Sequence, residues 1–257
     1  MSLHLAANRG AELETPRALA ALREVGAELL AARALLTRVD RKYLLPREAL
    51  DALLFSVRGD YGVLRAGTRL AARYSTRYFD TSDLRMYDDH RRGRCPRYKV
   101  RMRHHIDRKL AFLEVKRKGT SQKTTKVILS RPFGAAELDP EGRLFIDRHC
   151  PITAASLVSG VSIDFLRATL VGELVNERVT IDWDFEFHHG SAQARLAHAV
   201  IVEVKQARYS NHTPAMRALR ALRIREQSIS KYCVATAAVA AVRSNTFKPA
   251  LRAMERL

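Results

Sequence analysis

The stretch Arg97-Tyr98-Lys99-Val100-Arg101-Met102-Arg103 places a base at every odd position and an apolar or aromatic residue at every even one. Successive side chains of an extended strand point to opposite faces, so this segment has one wholly cationic face. Three further segments separate ionic from apolar residues in the same way. Glu114, Lys116 and Lys118 oppose Leu113 and Val115; Glu203 and Lys205 oppose Val202 and Val204; Arg178, Thr180 and Asp182 oppose Val179, Ile181 and Trp183. A row of fixed cations with a few carboxylates among them suits one chemistry above others. The bases grip a polyanion through charge-assisted hydrogen bonds, and the carboxylates are hard oxygen ligands for a divalent cation.

These faces need elements to carry them. Alternation and β-branched content predict strands at 38–44, 73–80, 97–105, 110–117, 123–130, 163–171, 177–187 and 199–205. Helices are expected at 15–36, 46–57, 135–148, 214–223 and 228–242, with Pro16, Pro46 and the pair Thr213-Pro214 as starts. Any one ionic face could simply be wetted by solvent. Four of them, with acids set among the bases in E-x-K patterns, point instead to a closed or nearly closed antiparallel β-barrel of about eight strands, an α+β fold with helices packed outside and a charged interior. Confined cations raise one another's energy unless an anion neutralises them, so the expected interior is a cationic tunnel for a chain of phosphates.

The charge distribution agrees. The 257 residues carry 45 Lys and Arg against 27 Asp and Glu, a net charge of +18, which points to a polyanionic partner. Residues 1–37 are neutral, whereas Arg85–Lys126 hold fifteen bases and four acids. The aromatic of the basic strand, Tyr98, alternates away from the cationic face, which disfavours a nucleic-acid surface built on stacking. Cys95, Cys150 and Cys233 lack paired spacing and support neither disulfides nor a structural zinc site. His104-His105 and His188-His189 are adjacent pairs whose side chains diverge on a strand, so neither pair shares a metal. The sequence lacks a run long enough to span a bilayer and a signal pattern, so a cytoplasmic location is expected.

The motifs also resemble a known family. Arg41-Lys42-Tyr43, Thr76-Arg77-Tyr78-Phe79-Asp80-Thr81, Tyr87 followed by Gly93, Lys99-Val100-Arg101-Met102-Arg103 and Phe112-Leu113-Glu114-Val115-Lys116 occur in order. Arg167, Arg178-Val179-Thr180-Ile181-Asp182, Val202-Glu203-Val204-Lys205 and Ser228-Ile229-Ser230-Lys231-Tyr232 complete the series. Together they are similar to the catalytic domain of the vacuolar transporter chaperone (VTC) complex and its bacterial homologues, polyphosphate polymerases of the triphosphate tunnel metalloenzyme superfamily. The resemblance implies a manganese- or magnesium-dependent transferase that moves the γ-phosphoryl group of ATP to a growing polyphosphate chain and releases ADP. It implies Arg101, Arg103, Lys116 and Lys231 as the catalytic cations, and Lys42, Arg97, Lys99, Lys123, Arg167, Arg178 and Lys205 as substrate-binding ones. Glu203 is implied as the metal ligand, with Glu114 and Asp182 as further candidates.

Lys123-Thr124-Thr125-Lys126 departs from the family's K-x-R pattern, which leaves Lys126 as an alternative to Lys123, and the base between Tyr87 and Gly93 is either Arg91 or Arg92. The resemblance divides the chain into an N-terminal helical extension at 1–37, a tunnel domain at 38–233 and a basic helical tail at 234–257. ATP and inorganic polyphosphate are the expected partners, without a specific nucleic acid; a membrane-protein partner that accepts the product, and any membrane association through it, is left open. A triphosphate or polyphosphate hydrolase of the same superfamily and a non-catalytic polyanion-binding module are the competing functions.

Overall fold

The computed structural model describes residues 15–32, 39–120 and 124–257. In chain order the strands are β1 (Glu24–Val25), β2 (Val39–Pro46), β3 (Tyr61–Leu64), β4 (Ala72–Thr81), β5 (Arg97–His105), β6 (Leu110–Lys118), β7 (Thr124–Arg131), β8 (Leu157–Gly172), β9 (Glu177–His189), β10 (Ala192–Leu196) and β11 (Ala199–Gln206). The helices are α1 (Ala27–Ala32), α2 (Ala49–Val57), α3 (Arg85–Arg91), α4 (Pro140–His149), α5 (Pro214–Ala221), α6 (Lys231–Val239) and α7 (Lys248–Glu255). Among the described residues no helix is long and apolar enough to cross a membrane.

One sheet runs in the order β2-β11-β9-β8-β4-β5-β6-β7, antiparallel throughout this path. The α+β class and the eight-strand antiparallel path agree with the sequence. Closure does not. Among the described residues no pairing joins β2 to β7, so the sheet is not a hydrogen-bonded barrel. It is strongly curled all the same. Lys116 on β6 feels both Glu203 on β11 and Lys42 on β2, although a flat sheet would set β2 and β6 roughly 29 Å apart at ordinary strand spacing.

The register places the ionic residues on the concave face and the apolar alternates on the convex one. Val179, Ile181, Trp183, Val200, Val202 and Val204 form a convex core with Leu50, Leu53, Leu54 and Val57 of α2, whose spacing makes one helical stripe, and with Met216 and Leu219 of α5. Phe79, Val100, Met102, Leu113 and Val115 form a second with Met86 of α3 and Ile146 of α4. The third core lies on the concave side. There α6 packs against Phe165, Phe185 and Phe187, and the segment after it buries Phe247 and Met254.

Several expectations change. The helix expected at 15–36 is a 3-10 turn at Arg17–Ala21, strand β1 and α1, with 33–36 outside the described residues; β1 pairs in parallel with β3, which gives the backbone around Glu24 a sheet partner in place of a helix. The boundary expected at 233 falls inside α6, which lies against β8 and β9. Strands β3 and β10 and helix α3 are additions that the alternation does not reveal.

Asp80 ties α6 to the sheet. Its carboxylate accepts from the backbone N–H groups of Thr81 (2.8 Å), Met86 (2.8 Å) and Tyr87 (2.9 Å), and from the Tyr232 hydroxyl of α6. It is 1% exposed, so each donor replaces water that the carboxylate has lost. Tyr232→Phe is therefore expected to cost about 1–3 kcal/mol in urea denaturation. An unchanged midpoint would show that this bond does not hold α6 in place.

Candidate active site

Seven strands contribute inward positions to one charged surface. Lys42 comes from β2, Lys99, Arg101 and Arg103 from β5, Glu114 and Lys116 from β6, and Lys126 from β7; Arg167 comes from β8, Arg178 and Asp182 from β9, Glu203 and Lys205 from β11, and Lys231 from the first turn of α6. Cross-strand register brings them together. Arg101 pairs with Glu114, Lys99 with Lys116 and Lys116 with Lys126; Arg167 pairs with Asp182, Lys205 with Arg178, and Glu203 with both Lys42 and Thr180.

Three carboxylates organise part of this charge. Asp182, fully buried, receives Arg167 through two bonds (2.5 and 2.7 Å) and Lys231 at 2.5 Å. Burial alone would raise its pKa, but Arg167 and Lys231 outweigh that and hold it down at about 2. Glu114 accepts from Arg101 at 2.5 Å and from Lys126 at 3.2 Å. Burial opposes its ionisation too, and Arg101, Arg103 and Lys126 hold it far below the usual carboxylate range. Glu203 lies 2.9 Å from Lys42 and contacts Lys205; these lysines overcome the effect of burial and keep it ionised.

Among the described residues Arg103, Lys99 and Lys116 make no ion pair with a carboxylate. Arg103 is 8% exposed, and among the described residues no carboxylate lies within ion-pair distance of it; its Nε donates to Thr76 Oγ1 at 3.3 Å. Burial, and then Arg101, lowers its pKa to about 10. Lys99 donates to Ser230 Oγ at 2.8 Å, a hydroxyl that supplies no charge. Lys99 and Lys116 are both pushed down to about 8, by burial first; Glu203 opposes the shift at Lys116, and neighbouring cations add to it at both. Lys205 is also held at about 8 by burial, despite its contact with Glu203. A buried cation without an anion is costly, so this row is a site poised for an anionic ligand.

The carboxylates differ in their fitness for a metal. Asp182 has both oxygens committed to cations and reads as a clamp that positions Arg167 and Lys231. Glu114 has the same role for Arg101 and Lys126. Glu203 fits a hard divalent cation best: its partners are flexible lysine ammoniums, and the buried Thr180 Oγ1 on the strand beside it has no hydrogen-bond partner. One protein carboxylate, with phosphate oxygens completing the shell, is the usual manner of binding Mg²⁺. A different trio, Asp164, Glu186 and His188, brings potential ligand atoms within 4.8 Å of one another. It alternates with Phe165, Phe185 and Phe187 of the concave core and so lies on the convex face, away from the charged row.

Arg97 folds back onto its own loop, donating to the Arg94 carbonyl at 3.2 Å, and stands at the mouth of the row. Lys123 lies outside the described residues, while Lys126 reaches Glu114 on the concave face. Arg91 and Arg92 both pair with Asp88 on α3. Thr76 and Tyr78 are site residues that the sequence reading does not single out. The Tyr78 hydroxyl accepts from Arg101 at 3.2 Å, and its ring stacks on Tyr232 with centroids 4.8 Å apart. Burial would raise the Tyr78 pKa, but Arg101 and Arg103 turn the shift downward. The inward alternation Tyr74, Thr76, Tyr78 is the signal that could have found them.

Residues 37–132 match the family model of the VTC domain. A search of curated proteins gives no match. Among solved structures, a putative adenylyl cyclase from Hippeastrum, described as having a dominant triphosphatase activity, aligns with TM-score 0.51 and 12% identity over 81% of this chain and 99% of its own. A putative adenylate cyclase from Bacillus halodurans aligns with TM-score 0.48 and 14% identity over 76% and 94% respectively. The matched segment holds Lys42, the β5 row, Glu114, Lys116 and Lys126, whereas Arg167, Asp182, Glu203 and Lys231 lie beyond it. Residues 37–132 thus match the VTC domain model, and the fold of the chain is similar to that of the Hippeastrum protein.

Proposed function

We propose that the protein is a polyphosphate polymerase, which transfers the γ-phosphoryl group of ATP to the end of an inorganic polyphosphate chain. A terminal phosphate oxygen of the chain attacks the γ-phosphorus, the bond from that phosphorus to the β,γ-bridging oxygen breaks, and ADP leaves with the bond electrons. The observation that carries this reading is the row of Lys99, Arg103 and Lys116 on the concave face of a curled sheet, Arg103 buried and the two lysines half-buried, which among the described residues make no ion pair with a carboxylate. Such a row accepts a continuous anion, and the transfer needs little else from the protein than alignment and charge neutralisation.

Arg101 and Arg103 present planar guanidinium groups suited to the transferring phosphoryl group, and Lys99 and Lys116 act as point charges along the chain. Lys231, held by Asp182, covers the row from α6. A divalent cation held by Glu203 would supply further neutralisation of phosphate oxygens. Association with a membrane-protein partner that accepts the product is compatible with this reading and awaits its own test.

Incubation with ATP and Mn²⁺, followed by electrophoretic separation of polyphosphate from free phosphate, tests the proposal. Long chains are expected. Free phosphate alone would make the protein a hydrolase, and neither product would make it a binding module. Arg103→Ala is expected to reduce synthesis by about 100-fold or more, the scale on which single charge-stabilising donors act. Because the substitution removes a buried cation that has no anion, it should leave the melting temperature unchanged or higher; full activity would remove Arg103 from the site.

The depressed lysines give a pH signature with opposite signs for binding and stability. Lys99, Lys116 and Lys205 ordinarily titrate at 10.5, and here at about 8. Below pH 8 all three are charged, so tripolyphosphate should bind tightly at pH 7 and weaken by about tenfold or more by pH 9.5, with proton uptake on binding near pH 8. Without ligand, the unfolded chain binds more protons between about pH 8 and 10.5, so stability should rise with pH across that window. Affinity that stays flat from pH 7 to 9.5 would show that these ammonium groups are solvated and ordinary.

A further inference from the structure

Gln206 pairs with Val39 and with Glu177, His105 with Leu110, and Ala111 with Arg131, so one set of strand ends lies side by side. The start of β2, the β5–β6 turn, the exit from β7, the β8–β9 turn and the exit from β11 all stand at that end of the curled sheet. Large apolar side chains collect there. Val39, Leu110, Phe133, Leu174 and Tyr209 are five of the nine exposed large hydrophobic residues among those described, and only Val158 stands at the opposite strand ends. Leu174, at the tip of the β8–β9 turn, is 94% exposed. One exposed leucine is ordinary, whereas five on one rim are the composition of a contact surface. Bases stand between them. Arg108 and Lys109 share the β5–β6 turn that leads into Leu110, and Arg208 precedes Tyr209; all three are exposed and make no ion pair among the described residues. Asp107 and Glu173, carboxylates of the same turns, are already taken by Arg73 and Arg23.

The tips belong to separate strands spread along the sheet path, from β2 at one edge to β7 at the other, so they form a broken ring rather than a groove. A partner that meets all five must be broad, roughly flat and tolerant of unequal heights. A bilayer interface is such a partner: leucine and phenylalanine enter it singly, tyrosine lies at headgroup level, and lysine and arginine reach the phosphates. Unpaired bases among apolar tips select an anionic surface. We propose that this end of the sheet seats the protein on an anionic phospholipid bilayer, with Leu110, Phe133, Leu174 and Tyr209 inserted and Arg108, Lys109 and Arg208 against headgroup phosphates. The proposal goes beyond the reaction above and does not depend on it. It also orients the charged row. Strand β5 runs from His105 at the seated end back to Arg97, which pairs with Lys118, so the mouth at Arg97 and Lys118 faces away from the bilayer.

Sedimentation with vesicles of phosphatidylcholine, alone or mixed with phosphatidylserine, tests it. The wild type is expected to bind the anionic vesicles about tenfold or more tightly than the neutral ones. Leu174→Asp is expected to weaken that binding by about fivefold or more, while Leu144→Asp, the same change at an exposed leucine of α4, stays within about twofold of wild type. The matched charge change separates a seated rim from general attraction of a basic protein to an anionic surface. Should either variant fold poorly, hydrogen exchange on the wild type gives a second reading: vesicles are expected to slow exchange at 106–110, 132–134, 173–176 and 207–209. Equal affinity for neutral vesicles, no binding to anionic ones, equal losses in Leu174→Asp and Leu144→Asp, or protection confined to the basic segment at 243–256 would overturn the proposal. Protection of the same rim segments by raised protein concentration without lipid would give the rim to a second copy of the chain and overturn it too.

Discussion

Taking a cation out of water costs free energy that only an opposite charge returns, and this protein does so repeatedly along one face of one sheet. Asp182, Glu114 and Glu203 each pair with two cations, Arg167 and Lys231, Arg101 and Lys126, and Lys42 and Lys205, and so offset half of that charge. Among the described residues Arg103, Lys99 and Lys116 make no ion pair with a carboxylate, although Glu203 acts on Lys116 from beyond contact. The curl of the sheet, the position of α6 and the depressed lysines all follow from holding these groups together. A surface that wants no ligand would be better served by solvent, because exposed bases keep their hydration.

Rigidity around the row comes from elements that touch no ligand. The convex face is buried twice over, beneath α2 and α5 on one side and beneath α3 and α4 on the other, so the strands have no freedom to flatten. On the concave face α6 covers the aromatic end and delivers Lys231 to Asp182. Asp80 joins β4, α3 and α6 through three backbone donors and one phenol, and the Tyr232 ring it orients also stacks on Tyr78. The concave-facing arginines thus rest on a second layer of hydrogen bonds, which keeps them in place.

Much of this was legible in the sequence, because strand periodicity leaves no choice about which residues share a face. The alternation from Arg97 to Arg103 and the patterns around Glu114, Asp182 and Glu203 already put these side chains on one surface. Alternation is local, however, and says nothing about how a sheet ends. Closure was therefore expected and is not found: the edges β2 and β7 remain unpaired to each other. The Ala- and Leu-rich run after Thr15 has helical spacing, yet contact of Glu24 and Val25 with β3 overrides it. Thr76 and Tyr78 stand in a motif that the sequence offers but were not assigned to the site, because a charge-based search passes over neutral groups.

A channel that admits only a bare phosphate chain differs from an open basic surface in what it excludes. The most direct measurement is the melting temperature with polyphosphate and with single-stranded RNA at matched phosphate concentration and two salt levels. Ligands that bind only the folded state raise its stability by mass action, by about 2.7 kcal/mol at a hundredfold excess over the dissociation constant. A concave, sterically selective row predicts a large shift with polyphosphate that persists at the higher salt and a small one with RNA. Equal shifts, equally erased by salt, are the behaviour of an open electrostatic surface and would contradict the account.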